Sequence, residues 1–370
     1  MASVSLFLAC PGPHGCASPL APRSALGCWL ALEGTVSETP ITYSQARTAL
    51  SCPREHHYAY ALGYRPLQTA GALRFGSLFH RSTEAWWRAW GQSAEARLSA
   101  AMEAMGAFLE ELRAKGDVEL DAYELAKARA LMVGYHARWV HEPLRPLAVE
   151  ATFRFPLIHP VTGEETCAFA GQVDAIVQHI HTGEVYLMER KTSGDDITPG
   201  SDYWRRLAID HQVTTYYEGA RALGYEVAGC IYDVIGKPKT KPILATPPEA
   251  RRYKKDGTLY ANQRERDETP EEYEARLLAA IGLAPEKYFQ RGTISRSDKE
   301  RDTWYLDMAD AAEIIRRDRK TRNPSACRRW GRMCDYFSVC AGEVDISDPL
   351  HFRKVETIHE ELVESEEVEE

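Results

Sequence analysis

At 370 residues, with 44% hydrophobic and 27% charged side chains, the chain has a soluble globular composition and length for one large domain or two small ones. No apolar run reaches the roughly 18 residues of a membrane span, and Val4–Cys10 is too short, with no basic residue before it, to read as a secretory signal. The net charge of −9 would weigh against nucleic-acid binding if it were evenly spread, but eight glutamates in residues 355–370 carry nearly all of it. Residues 236–266 hold nine Lys or Arg against three acids, and residues 316–332 hold eight against one. Local patches of this kind set phosphate affinity. Nine cysteines, an odd number unevenly spaced, argue against a secreted disulfide framework and for a reducing cytoplasm.

Residues 1–40, rich in Pro, Gly, Ser and Ala, read as a loosely ordered extension. Its Cys10, His14, Cys16 and Cys28 lack the paired spacing of a zinc site. Order is expected from Thr42 on, with Ser44 capping a helix from Gln45 to Leu50 that ends at Ser51-Cys52-Pro53-Arg54. An aromatic run, His57-Tyr58-Ala59-Tyr60, follows. By itself Cys52 reads as a small buried hydrophobe. Gly76 to Trp87 reads as an amphipathic helix on which His80 and Glu84, four apart, share a face. Residues 93–142 continue as helical scaffold, and Val149 to Phe155 alternates like a strand.

The informative stretch is 166–193, two β-rich runs around Thr182-Gly183, which reads as a two-residue hairpin loop. That register places Asp174 opposite Lys191, with Glu189 diagonal to Asp174 at about 7–8 Å. Val185, Leu187, Glu189 and Lys191 share one face. Two carboxylates that close are costly without a cation between them, and hard divalent metals select oxygen ligands. The set suits Mg²⁺ or Mn²⁺ with an amine beside it; a surface hairpin with scattered charges is the plainer alternative.

Beyond it, Tyr203 to Leu223 reads as helix, with Gln212 and Tyr216 on one side, and Val227 to Ile235 as a buried strand. A basic, proline-broken stretch, 236–242 and 251–255, carries Arg251, Arg252, Lys254 and Lys255 among Tyr253 and Tyr260. It reads either as a solvated loop or as a flap that holds phosphates and stacks on a base. Pro270 to Ile281 reads as a helix. In residues 323–341, Cys327, Cys334 and Cys340 have x6 and x5 spacings, longer than zinc fingers prefer, and Arg328 and Arg329 lie among them. Three local thiolates with a remote fourth suit a [4Fe–4S] cluster, zinc being the alternative. Cys167 and Cys230 fall in expected strands as core residues. From Asp348 the chain reads as a disordered acidic tail.

Gly171-Gln-Val-Asp174 followed by Glu189-Arg-Lys191-Thr resembles the signature of the PD-(D/E)xK nuclease superfamily, with Val173 where the family has proline. The Ser-capped helix into Cys52-Pro-Arg, His80, Gln212-x-x-x-Tyr216 and the cysteine triplet resemble, in this order, the RecB-like branch that includes AddB nuclease domains, CRISPR adaptation nucleases and phage exonucleases. The resemblance covers roughly residues 41–341. It implies an α/β, restriction-endonuclease-like fold: a mixed central sheet flanked by helices, with a helical N-terminal region and an Fe–S-bound C-terminal segment. The corresponding division is a helical part at 41–145, a catalytic sheet core at 146–235, a basic insertion and helix at 236–300, a cluster-binding segment at 301–345 and a tail at 346–370.

The resemblance further implies a Mg²⁺- or Mn²⁺-dependent deoxyribonuclease, an exonuclease hydrolysing phosphodiester bonds in DNA that is single-stranded or has a free end, in recombination, repair or phage replication. Its metal ligands would be His80, Asp174, Glu189 and the carbonyl of Arg190. Lys191 would orient the attacking water, and Gln212 and Tyr216 would position the lysine or the strand. Cys52, Cys327, Cys334 and Cys340 would hold the cluster. Arg251, Arg252, Lys254, Lys255, Arg328 and Arg329 would meet DNA. A helicase or strand-annealing protein is the kind of partner it implies. The rival readings are a DNA-binding scaffold of the same fold, against which the intact acids and lysine weigh, and a zinc-stabilised RNA-binding protein, for which no RNA module is visible.

Overall fold

The computed structural model describes residues 39–67, 71–116, 120–329, 331–359 and 362. Cys10, His14, Cys16 and Cys28 lie outside these residues, as do 360–361 and 363–370 of the acidic tail. The N-terminal part comprises β1 (Ile41–Thr42), α1 (Tyr43–Ser51), α2 (Pro53–His56), a π-helical turn (His57–Ala61) and β2 (Tyr64–Pro66). Then come α3 (Gly71–Arg88), α4 (Ala94–Ala114), α5 (Ala122–Trp139) and the strands β3 (Leu144–Ile158), β4 (Glu165–His179) and β5 (Val185–Ser193). Helices α6 (Asp202–Arg206) and α7 (His211–Ala222) lead to β6 (Gly229–Gly236). After a long connection follow α8 (Pro270–Leu283), β7 (Phe289–Ile294) and α9 (Asp298–Arg316). The C-terminal segment carries β8 (Arg328–Arg329), β9 (Arg332–Met333), α10 (Phe337–Ala341) and β10 (Phe352–Lys354).

The central sheet is mixed, as expected, and built on β4. Along one edge β4 pairs antiparallel with β3. Its other edge is divided: β5 takes residues 175–178, and β1, running parallel, takes Phe169 and Ala170. Gly171-Gln-Val-Asp174 lies between those two partners. β5 then pairs parallel with β6, and β6 antiparallel with β7.

The β4–β5 hairpin differs from the expected register by two residues. The ladder runs from Gln178–Val185 to Ala175–Met188, so Glu189 rather than Lys191 falls opposite Asp174. The cause is the turn. His179 and Glu184 close a four-residue loop through the His179 N–H to Glu184 carbonyl bond, 2.9 Å, and Gly183 donates back to the His179 carbonyl at 2.8 Å. His179 Nδ1 also accepts the Thr182 N–H at 3.2 Å, and Gly183 takes the left-handed φ of +79° that this return needs. A slip of two preserves side-chain parity, so both acids and Lys191 still share a face.

Helices cover both sides. Ala175, Val177, Met188, Ile231 and Ile235 pack against α3, α4, α5 and α8. Ile176, Leu187, Tyr232 and Val234 pack under α6 and α7. A third cluster joins Ile41 and Ala46 to Leu157, Cys167 and Phe169 through Trp304, Met308 and Ala311 of α9. Phe153 of β3 decides how closely α7 approaches the sheet. A β-carbon at Gly219 would stand 2.5 Å from its Cδ1, and one at Gly171 2.7 Å from its Cζ, so both positions need glycine for the ring to lie between helix and strand.

Three local expectations are corrected. Thr42, not Ser44, caps α1, its hydroxyl accepting the Gln45 N–H. The helical span expected over 203–223 is broken into α6, a 3₁₀ turn (Leu207–Ile209) and α7, because Asp210 leaves helical geometry to cap the second helix. Residues 349–359, expected to be disordered, are ordered: β10 pairs with β2, and Phe352 and His359 are buried, which takes these rings out of water.

Candidate active site

β4 and β5 part company after Ala175–Met188 although both continue, and the site opens at that fork. Asp174 Oδ2 substitutes for the missing ladder partner by accepting the Arg190 N–H at 2.7 Å. Glu189 is fully buried and touches the Lys191 ammonium; its Oε2 has no hydrogen-bond donor. From α3, His80 places Nδ1 4.0 Å from Asp174 Oδ1. The mouth is a cavity of about 180 Å³ lined by Tyr43, His80, Glu150, Gly171, Asp174 and Tyr216, among others.

The electrostatics separate the two acids. For Asp174, burial acts upward but is outweighed by His80, Arg190 and Lys191, and the carboxyl lies below its ordinary range. Burial and then the neighbouring Asp174 push Glu189 up to about 7, against the pull of Lys191. Lys191 is raised despite burial, because Glu189 and Asp174 favour its charged form. Burial, with Glu189 and Asp174 behind it, keeps the Tyr216 phenol well above its usual range, hence neutral and able to donate. Gln212 Nε2 donates to Tyr216 Oη at 2.8 Å, so this helical pair acts as one unit, with the tyrosine at the cavity and the glutamine behind it.

Strand alternation did not disclose Glu150. It lies between the pairs Val149–Ala175 and Ala151–Val173, which sets it across from Asp174, and its φ is +53°, a left-handed value that costs a non-glycine residue about 1–2 kcal/mol. Its Oε1 takes His80 Nε2 at 3.2 Å and Arg190 Nη2 at 2.9 Å. The Arg190 side chain also donates to the Asp174 carbonyl at 3.1 Å. Among the described residues, His80, Glu84 and Glu150 present ligand atoms within 4.8 Å of one another. Arg88 already pairs with Glu84 at 3.0 Å, and Arg190 with Glu150, so these carboxylates are largely neutralised.

Elsewhere, the four cysteines anticipated as a set line one cavity of about 610 Å³: Cys52 at the end of α1, with Cys327, Cys334 and Cys340. Among the described residues, cysteine sulfurs form no group of three within 4.8 Å of one another. The two chain regions are tied by Arg54 N–H to the Thr321 carbonyl, 3.1 Å, and Asn323 Nδ2 to the Ser51 carbonyl, 2.8 Å. Arg329 is occupied there, gripping Glu55 and donating to Ser51 Oγ at 3.1 Å, whereas Arg328 is exposed. In the basic connection, Arg251 is spent on the Thr246 and Glu265 carbonyls, both at 2.9 Å. Arg252, Lys254 and Lys255 are exposed beside Tyr253 and Tyr260 on a small hairpin bridged at Tyr253–Leu259. Cys167 and Cys230 are buried in β4 and β6. Among the described residues no helix is long and apolar enough to cross a membrane.

No curated protein sequence matches the chain. Among solved structures, that of SSO0001 is similar to it, with 13% identity and a TM-score of 0.32 over 85% of this chain and 91% of that one. The profile of the PD-(D/E)XK nuclease superfamily matches residues 40–341, from the strand preceding α1 to the end of α10, and so spans both the forked sheet and the cysteine cavity. By that match over most of its length, the chain belongs to the PD-(D/E)XK nuclease superfamily.

Proposed function

We propose that the chain is a Mg²⁺- or Mn²⁺-dependent deoxyribonuclease of the RecB-like branch that hydrolyses phosphodiester bonds at DNA ends. The observation that carries the metal is Glu189. A fully buried carboxylate whose Oε2 has no donor, with a second acid raising its proton affinity, is a group a cation would satisfy. Asp174, Glu189, His80 and the Arg190 carbonyl would hold the ion. When bound, it makes water more acidic and offsets charge on the phosphate. Lys191, kept protonated by its acidic neighbours, orients that water and donates to the phosphoryl oxygens. Tyr216, backed by Gln212, offers a second neutral donor at the cavity wall.

The preference for DNA ends, the setting in recombination, repair or phage replication, and a helicase or annealing partner rest on the RecB-like motifs. Exposed Arg252, Lys254, Lys255 and Arg328 would take phosphates, with Tyr253 and Tyr260 available for base stacking. Cys52, Cys327, Cys334 and Cys340 would hold a [4Fe–4S] cluster. Sulfurs around one zinc ion stand about 3.8 Å apart for a bond of about 2.3 Å. Among the described residues no three of these sulfurs come within 4.8 Å of one another, and the four line one cavity of about 610 Å³, which has room for the larger group.

The test is purified protein with end-labelled linear, circular and single-stranded DNA, with and without Mn²⁺. Linear substrate should be degraded only with metal, and Asp174→Ala or Lys191→Ala should lower the rate at least about 10²-fold. Full activity in either variant would remove this site from consideration.

A further inference from the structure

We propose that Glu150 is a positioning residue for the metal site: it fixes the His80 ring so that Nε2 carries the proton and Nδ1 presents its bare lone pair toward Asp174. The inference rests on the functional reading above, in which His80 and Asp174 share a divalent cation.

The geometry has three parts. First, Glu150 Oε1 lies 3.2 Å from His80 Nε2, and a carboxylate there can only accept, so Nε2 must be the donor in the neutral ring. The other nitrogen, Nδ1, then has no proton, and it is the one facing Asp174 Oδ1 at 4.0 Å. That separation is too long for a hydrogen bond and suits an ion between the two atoms. Second, Glu150 is itself held. Arg190 Nη2 donates to the same Oε1 at 2.9 Å, Gln172 Nε2 donates to the Glu150 carbonyl at 3.0 Å, and the side chain is only 8% exposed. Third, its backbone is left-handed, φ +53°, in the middle of a long strand. The flanking pairs Val149–Ala175 and Ala151–Val173 stay in register, so the side chain keeps the face of Asp174 while its own backbone takes the left-handed conformation. Strain retained at such a position, beside a site, is the pattern expected when the side chain's direction matters more than the backbone's comfort. A carboxylate behind a ligating histidine fixes its tautomer and raises its basicity, and removing such a partner weakens metal binding about 10–100-fold.

The experiment uses the full chain. Glu150→Gly is the main variant, because glycine adopts φ +53° without strain and the fold should survive; Glu150→Gln keeps an acceptor oxygen. Histidine ¹⁵N spectra of metal-free protein at alkaline pH should show His80 protonated at Nε2 in the wild type and in Glu150→Gln. In Glu150→Gly the two tautomers should mix. Mn²⁺ titration by calorimetry should show about 10–100-fold weaker binding in Glu150→Gly and a smaller loss in Glu150→Gln. In a His80→Ala background, Glu150→Gly should add nothing, since its effect passes through the ring. An additive loss would overturn the proposal by assigning the effect to Arg190 or to the fold. So would a Glu84→Gln variant that binds Mn²⁺ as poorly as Glu150→Gly, because Glu150 would then be a ligand in the His80–Glu84–Glu150 group. If His80→Ala weakens binding while Glu150→Gly does not, the proposal alone fails. If His80→Ala binds Mn²⁺ like the wild type, the assignment of His80 as a ligand fails with it.

Discussion

Glu189→Gln should make the metal-free protein more stable while disabling it. In the wild type the carboxylate is fully buried with one oxygen lacking a donor, and it is held near 7 instead of its ordinary 4.5. A difference of that size opposes the charged form by about 3 kcal/mol. Glutamine has the same shape and no charge, but its amide arrives without an assured partner, returning about 1 kcal/mol of that gain. The lost pairing with Lys191 is already contained in the value near 7, and the ammonium keeps Asp174 as a counter-charge, so nothing further is subtracted for it. The net is a stabilisation of about 1–2 kcal/mol, or roughly 1–3 °C in Tm for a chain of this length.

The pH dependence gives the sign independently. An acid with a raised folded pKa binds its proton more tightly in the folded state, so the wild type should lose stability as pH rises from about 4.5 to about 7. Glu189→Gln should lack that component. Metal should invert the order: Mn²⁺ at a hundred times its Kd adds about 2.7 kcal/mol to a chain that binds it, and the variant should gain little. Thermal and urea denaturation with EDTA and with Mn²⁺ would measure all of this. A metal-free variant less stable than the wild type, or equal stabilisation of both by Mn²⁺, would refute the reasoning.

Three further outcomes are expected. Gly219→Ala should destabilise by about 1–2 kcal/mol, because overpacking against Phe153 exceeds the roughly 1 kcal/mol that alanine gains in a helix. Adding Phe153→Leu should recover part of that loss, and strictly additive effects in urea melts would contradict the wedge. Cys52→Ala should lose iron from anaerobically purified protein and lower its Tm, while one zinc and no iron in the wild type would overturn the cluster. Replacing Arg252, Lys254 and Lys255 by alanine should weaken DNA binding for all sequences alike and flatten its salt dependence; an unchanged slope would make this hairpin a bystander.

The spacing of Asp174, Glu189 and Lys191 was readable because parity survives a register error of two, which is what the longer His179–Glu184 turn introduced. His80 and the Gln212–Tyr216 pair were readable as helical neighbours, and the structure brings His80 and Tyr216 to the cavity of Asp174 with Gln212 bonded behind. Glu150 was not readable, because the register of β3 on β4, which sets it across from Asp174, is not fixed by either strand's own pattern. Arg329 looked like a DNA contact because charge counts do not reveal a partner 274 residues away in Glu55. α9 escaped notice despite the Ser297-x-x-Glu300 capping box that opens it, a signal present in the residues themselves.

The pairing of β1 with the middle of β4 carries a consequence for synthesis on the ribosome. Ile41 and Ala46 are made early, yet their cover, Trp304, Met308 and Ala311, comes from α9, and Cys52 meets its cavity partners only when Cys340 has been made. At about 5–20 residues per second, that interval is roughly a quarter of a minute to a minute. Until then Tyr43, one wall of the catalytic cavity, has β3 and β4 beside it but lacks the cover that Trp304, Met308 and Ala311 supply. The nascent chain can build its hairpin early, but the cover over this wall waits for α9, so a product terminated before Trp304 would be released with that wall unsupported.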